Sequence, residues 1–132
     1  MSAELRREIE ALFSAFLSAE LALRFSGLPA MKPTRWTKID PWRIWESLPN
    51  DPRIIPWSQE TTALLQSELF ASRANELATV LRCGHDTPRL ERQRLCEALG
   101  STPPVLEGFI SVIPGKLGIA INHDGQACIL RN

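Results

Sequence analysis

This chain of 132 residues has no tyrosine, three cysteines and no net charge. Its three cysteines form an odd, irregularly spaced set, which is not the pattern of a small secreted domain stabilised by disulfides. Fifteen basic residues balance fifteen acidic ones, so the whole chain has no field that would attract nucleic acid or an anionic membrane. The composition therefore favours a protein with free thiols in a reducing compartment.

A long uninterrupted hydrophobic run is also missing. Glu10 and Glu20 interrupt the apolar N-terminal stretch, and neither a secretory signal nor a membrane span tolerates such charges well. We therefore expect a cytoplasmic protein that does not contact a membrane. Twelve arginines against three lysines indicate a GC-rich bacterial genome.

Hydrophobic periodicity predicts helices in the first two thirds of the chain. Apolar residues that include Leu12 recur at spacings of three and four over 2–26, before Gly27. A second helix is expected over 58–83, with Leu77 in its apolar stripe, and a shorter third helix over 88–99. Small alanines in the second helix would let it pair antiparallel with the first.

The last part of the chain, 105–131, changes to short aliphatic and β-branched runs. Turn-forming residues at 114–116 and 122–125 divide it into three strands. We therefore predict one α+β domain over 1–132, with two long antiparallel helices, a shorter third helix and a C-terminal three-stranded antiparallel meander. At this length a domain can bury roughly two thirds of its unfolded surface.

One segment, 28–57, contains all four tryptophans and six of the ten prolines. Rings and cations alternate there, as is typical of surfaces that recognise a partner. The predicted binding residues are Arg35, Trp36, Trp42, Arg43 and Trp45. The alternative is that the segment only packs over the helices as part of the core.

Five side chains are potential ligands for a soft metal: Cys83, His85, Cys96, His123 and Cys128. Their spacing matches no zinc module, and two of the cysteines fall where small buried residues are expected. We predict that the protein holds neither a metal nor another cofactor.

An enzymatic function would have to use His85 or His123, since each is followed by an aspartate. Both pairs fall in predicted turns, where such residues commonly bend the backbone. No serine or cysteine nucleophile is framed by glycines. A small enzyme is therefore the third interpretation.

Binding of nucleic acid is the second interpretation. The predicted order of helix, turn, helix and β-hairpin from residue 58 onward is that of a winged helix-turn-helix module. Arg89, Arg92 and Arg94 would then contact the nucleic acid. Two acidic neighbours and the zero net charge speak against this function.

The preferred interpretation is a non-enzymatic protein-binding or assembly component, an adaptor, in a bacterial cytoplasmic complex. Its partner would be another protein, or a second copy bound through the broad first helix.

Overall fold

A six-stranded antiparallel sheet forms the centre of the computed structural model, which describes residues 3–17, 19, 22, 51–82, 89–100, 108–122 and 126–132. The elements in chain order are α1 (Ala3–Phe16), β1 (Ile54–Trp57), the 3₁₀ helices Thr61–Gln66 and Ala71–Arg73, β2 (Leu77–Arg82), β3 (Arg89–Arg94), α2 (Leu95–Leu99), β4 (Gly108–Ile113), β5 (Leu117–Ile121) and β6 (Ala127–Arg131). The strands lie in the order β1-β6-β5-β4-β2-β3, and every neighbouring pair is antiparallel.

The predicted arrangement of two long helices and a three-stranded meander is wrong. Among the described residues, α1 is the single helix of seven residues or more. The predicted helix 58–83 is replaced by the two 3₁₀ helices and β2, and the predicted helix 88–99 by β3 and the short α2. Strands β4 to β6 lie within 105–131, but they form half of a larger sheet.

The second helix was predicted wrongly because β2 is apolar on both faces. Ala78 and Val80 point to one face of the sheet and Leu81 to the other, and all three are buried. A strand covered on both sides does not alternate between apolar and polar residues, so its sequence is easily mistaken for a helical stripe.

Helix α1 covers one face of the sheet, which we call the helix face. Phe13 of α1 and Phe109 of β4 pack edge to face, with ring centroids 5.0 Å apart. The buried residues on this side are Ile9, Leu12, Phe13, Phe16, Leu17, Ile54, Leu81, Phe109, Ala120, Cys128 and Leu130. The part of the predicted first helix that α1 contains thus has its apolar stripe in the core, but α1 ends at Phe16, short of the predicted bound at residue 26.

The opposite face of the sheet is covered by the 3₁₀ helices and α2. Leu64 and Phe70 come from the 3₁₀ region, and Leu95 and Leu99 from α2. They pack on Val80, Ile110, Ile119, Ile121 and Ile129 of the sheet. Both faces of the sheet are therefore occupied, which leaves its two edges.

A single arginine connects the end of α1 to the start of β1. One guanidinium nitrogen of Arg53 donates to the Ala15 carbonyl at 2.7 Å, and the guanidinium carbon lies 5.7 Å from the centroid of the Phe16 ring. The same guanidinium binds Asp51, and these hydrogen bonds hold the pKa of Asp51 below its ordinary value. The chain therefore leaves α1 and enters β1 at neighbouring points.

The observed packing predicts different effects of alanine substitution on stability at two leucines that the sequence pattern places in apolar helical stripes. Leu12 is 1% exposed, whereas Leu77 is 61% exposed at the start of β2. Leu12→Ala should therefore lower the free energy of unfolding by about 2 to 5 kcal/mol, through the cavity it leaves. Leu77→Ala, the matched control, should change it by less than about 0.5 kcal/mol. Chemical denaturation measures both, and equal losses would contradict this packing.

Candidate functional site

Strand β3 forms one outer edge of the sheet. Its sequence is Arg-Leu-Glu-Arg-Gln-Arg, and it pairs with β2 from Leu77↔Arg94 to Arg82↔Arg89. No other described strand pairs with it. Arg89, Arg92 and Arg94, which were predicted on a helix, thus lie on an edge strand.

The backbone N–H and C=O groups of β3 point toward β2 at one residue and away from it at the next. The Leu95 N–H donates to the Glu76 carbonyl at 3.0 Å, which defines that pair as hydrogen-bonded. Because hydrogen-bonded and non-hydrogen-bonded pairs alternate in an antiparallel ladder, residues 90, 92 and 94 direct their N–H groups outward. The carbonyls of 90 and 92 point the same way, while the Arg94 carbonyl serves the first turn of α2. Five backbone groups thus face outward without a described partner.

Strand β1, at the other edge, lacks such donors. The Arg131 N–H donates to the Arg53 carbonyl at 2.8 Å, so Ile54 and Pro56 direct their backbone outward. The Ile54 N–H is bonded to the Asp51 carbonyl, and Pro56 has no N–H. A proline at this position is a common means of blocking a sheet edge. The two edges therefore differ in their capacity to accept another strand.

On the helix face, Arg92 is neutralised by the first turns of α1. Its guanidinium lies 2.8 Å from Glu8 and 3.5 Å from Glu4. Glu8 also accepts a hydrogen bond from the Thr79 hydroxyl, and Thr79 is 1% exposed. Ser111 is opposite Thr79 on β4, and its buried hydroxyl has no partner among the described residues. A polar row thus crosses three strands under α1.

On the opposite face, Arg82 of β2 is neutralised by β3. Its guanidinium binds Glu91 at 2.7 Å and Gln93 at 2.8 Å. Arg89 and Arg94, by contrast, are exposed and form no ion pair within the described parts of the chain. They are five residues apart on a strand, so they lie on opposite faces of the sheet. They do not form one continuous basic patch.

Most of the other predicted site residues lie outside the part of the chain that the structure describes. They are Arg35, Trp36, Trp42, Arg43, Trp45, Cys83, His85 and His123. The fourth tryptophan, Trp57, is half-buried at the end of β1, and its indole N–H donates to the Glu60 carbonyl at 3.0 Å.

The sequence pattern did not predict the β3 edge, because a strand with charged residues on both faces has no alternation of apolar and polar residues to reveal it.

The two described cysteines do not converge. Cys128 lies in the core of the helix face, whereas Cys96 lies on α2, on the other side of the sheet. Within the described ranges, no group of three or more histidine, cysteine, aspartate or glutamate side chains could hold a metal ion. The metal-free and cofactor-free state remains a prediction, since Cys83 and both histidines lie outside these ranges.

Comparison with known proteins gives no independent indication of function. No protein family matches the sequence, and no curated protein or solved structure is detectably similar to it. No helix in the described parts of the chain is long and apolar enough to cross a membrane.

The polar row under α1 predicts a structural role for Glu8. Glu8→Ala removes the acceptor of the buried Thr79 hydroxyl, which should cost about 1 to 3 kcal/mol of folding free energy. Glu10→Ala on the same helix is the matched control, because the pair that Glu10 forms within the described residues, with Arg6 at 3.7 Å, is partly exposed. Thermal or chemical unfolding should separate the two variants. Equal stability would mean that the row contributes nothing to folding.

The burial of Cys128 predicts an unreactive thiol. Desolvation raises its pKa to about 12, so the thiolate fraction at pH 8 is on the order of 10⁻⁴. In a Cys83→Ser/Cys96→Ser variant, a disulfide reagent should label Cys128 only as fast as the protein unfolds. The Cys83→Ser/Cys128→Ser variant keeps the half-buried Cys96 and should react faster. Rapid labelling of Cys128 under native conditions would contradict its position in the core.

Proposed function

We propose that this protein is a non-enzymatic binding or assembly component, an adaptor, of a bacterial cytoplasmic complex, and that its partner is another protein. The observation that supports this function is the outer edge of β3, with three N–H groups and two carbonyls directed outward. Unpaired edge groups are the template on which an extended segment of another protein adds as a further strand. The edge itself is therefore the proposed binding site.

The contrast between the two edges supports this choice. Strand β1 has four residues, and its outward positions offer no free N–H because of Asp51 and Pro56. Strand β3 has six residues and no proline. Since proteins commonly block the edges that they do not use, an unblocked edge of this length is a candidate interface.

The segment 28–57 remains part of the proposal. Arg35, Trp36, Trp42, Arg43 and Trp45 are predicted to contact the partner, because tryptophan and arginine contribute most to protein interfaces. Trp36→Ala and Trp45→Ala should then weaken partner binding without lowering the melting temperature. A large loss of stability in both variants would instead assign the rings to the core.

The nucleic-acid alternative has lost its structural basis. The helix pair that it requires is replaced by strands, and the two arginines of β3 that form no ion pair within the described residues lie on opposite faces. A small enzyme using His85 or His123 gains no support, because both residues lie outside the described ranges.

Two substitutions of Arg94 test the edge. Arg94 has φ −64° and ψ 142°, which proline adopts without strain, and its N–H points away from β2. Arg94→Pro should therefore fold normally while removing one edge donor. Arg94→Gln is the matched control, because it also lacks the charge but keeps the N–H.

The measurement is affinity capture from bacterial lysate with quantitative mass spectrometry, followed by binding of the purified partner. A partner captured by the wild type should be retained better by Arg94→Gln than by Arg94→Pro. If both variants retained it equally, with unchanged melting temperatures, the β3 edge would not be the binding site.

A further inference from the structure

We infer that the β3 edge binds an extended acidic segment of the partner, which adds as a seventh, antiparallel strand with carboxylates opposite Arg89 and Arg94. This inference rests on the proposed function and specifies the partner's chemistry. It depends on three features of the edge: its outward backbone groups, the two arginines that no described carboxylate compensates, and the spacing of these arginines.

The backbone of the edge sets the register of an incoming strand. Leu90 and Arg92 each offer an outward N–H and carbonyl, and Arg94 offers a further N–H. In an antiparallel pair, the residue opposite Leu90 and the residue opposite Arg92 would each exchange two hydrogen bonds with it, and the residue opposite Arg94 would accept from its N–H, so that all five groups are satisfied. Because every existing pair in the sheet is antiparallel, the new strand continues the same ladder.

The charge on the edge is positive at both ends of β3. The guanidinium groups of Arg92 and Arg82 are already bound by carboxylates at 2.8 and 2.7 Å. Arg89 is directly opposite Arg82, so the single carboxylate of Glu91, which binds Arg82, would have to neutralise two arginines. Arg94, at the other end, is exposed beside the apolar Leu77. Carboxylates directly opposite Arg89 and Arg94 would compensate both charges.

The spacing of the two arginines defines a sequence pattern for the partner. If an acidic residue of the antiparallel segment lies opposite Arg94, the residue five positions later lies opposite Arg89. The residue before that one lies opposite Leu90, which packs partly buried against the helix-face core. The expected core sequence is therefore acidic, three uncharged residues, apolar, acidic.

A second copy of β3 fits this edge less well. When two copies of β3 pair antiparallel, a residue whose backbone groups face outward must lie opposite another such residue. Two registers meet this condition and align five residues of each copy. One places Glu91 opposite Glu91, and the other places Arg92 opposite Arg92. Like charges directly opposite each other destabilise a strand pair, so an acidic segment is the better occupant.

Synthetic peptides test the inference directly. The probe has the core Glu-Thr-Thr-Thr-Val-Glu, and its control has the core Lys-Thr-Thr-Thr-Val-Lys within the same flanking residues. Fluorescence anisotropy with the full-length protein should show at least about tenfold tighter binding of the acidic probe. In Arg89→Glu/Arg94→Glu, whose exposed positions should leave the melting temperature unchanged, the preference should reverse.

Amide hydrogen exchange locates the binding. The amides of residues 90, 92 and 94 should exchange quickly in the free protein and become protected by the acidic probe, while those of residues 54 and 55 in β1 should not change. Protection of the β3 amides in the free protein would overturn the inference, because it would mean that the chain itself covers this edge. Equal binding of both peptides would overturn it as well.

Two further outcomes separate this inference from the proposed function. Random-sequence DNA that displaces the acidic probe and itself requires Arg89 and Arg94 would assign the edge to nucleic acid, and would overturn the inference. A captured protein partner that is lost with Arg94→Pro but kept with Arg89→Glu/Arg94→Glu would also overturn it. In that last case the protein-binding function of the edge would stand.

Discussion

The close packing of α1 on the sheet is the constraint on which the other features depend. At Gly118 of β5, an added Cβ atom would lie 2.4 Å from the Leu12 side chain and 2.8 Å from the Ile110 carbonyl. Such distances are far inside van der Waals contact, so any other residue would push the helix away or distort the strand. The absence of a side chain at this position sets how closely the helix approaches.

This approach also determines the electrostatics of the candidate site. Because Leu12 and Phe13 fix α1 over the centre of the sheet, its first turns bring Glu4 and Glu8 to Arg92. Arg92 is thereby neutralised, and Arg89 and Arg94 remain as the arginines of β3 that form no ion pair within the described residues. The same packing occupies the helix face, while α2 and the 3₁₀ helices occupy the other. Within the described part of the chain, the sheet is thus left uncovered at its edges, and this is why the proposed binding site lies on β3.

Some elements follow from local sequence, and others do not. The stripe of Ile9, Leu12 and Phe16 defines α1 because its spacing matches one face of a helix. The strands at 108–131 follow from β-branched runs between strong turn signals. Strand β2 could not be recognised in the same way, because a strand buried on both faces has no period-two pattern.

By itself, the sequence determined the apolar stripe of α1, the strand character of the last quarter and a core rich in leucine, isoleucine and phenylalanine, but not where α1 ends. These features depend on interactions between residues a few positions apart, which periodicity reports. Only the tertiary structure decided that residues 77–82 and 89–94 are strands, that β3 is an outer edge and that two of its arginines lack carboxylate partners in the described chain. Strand pairing and charge compensation join distant residues such as Glu8 and Arg92, and no local pattern encodes which of them meet.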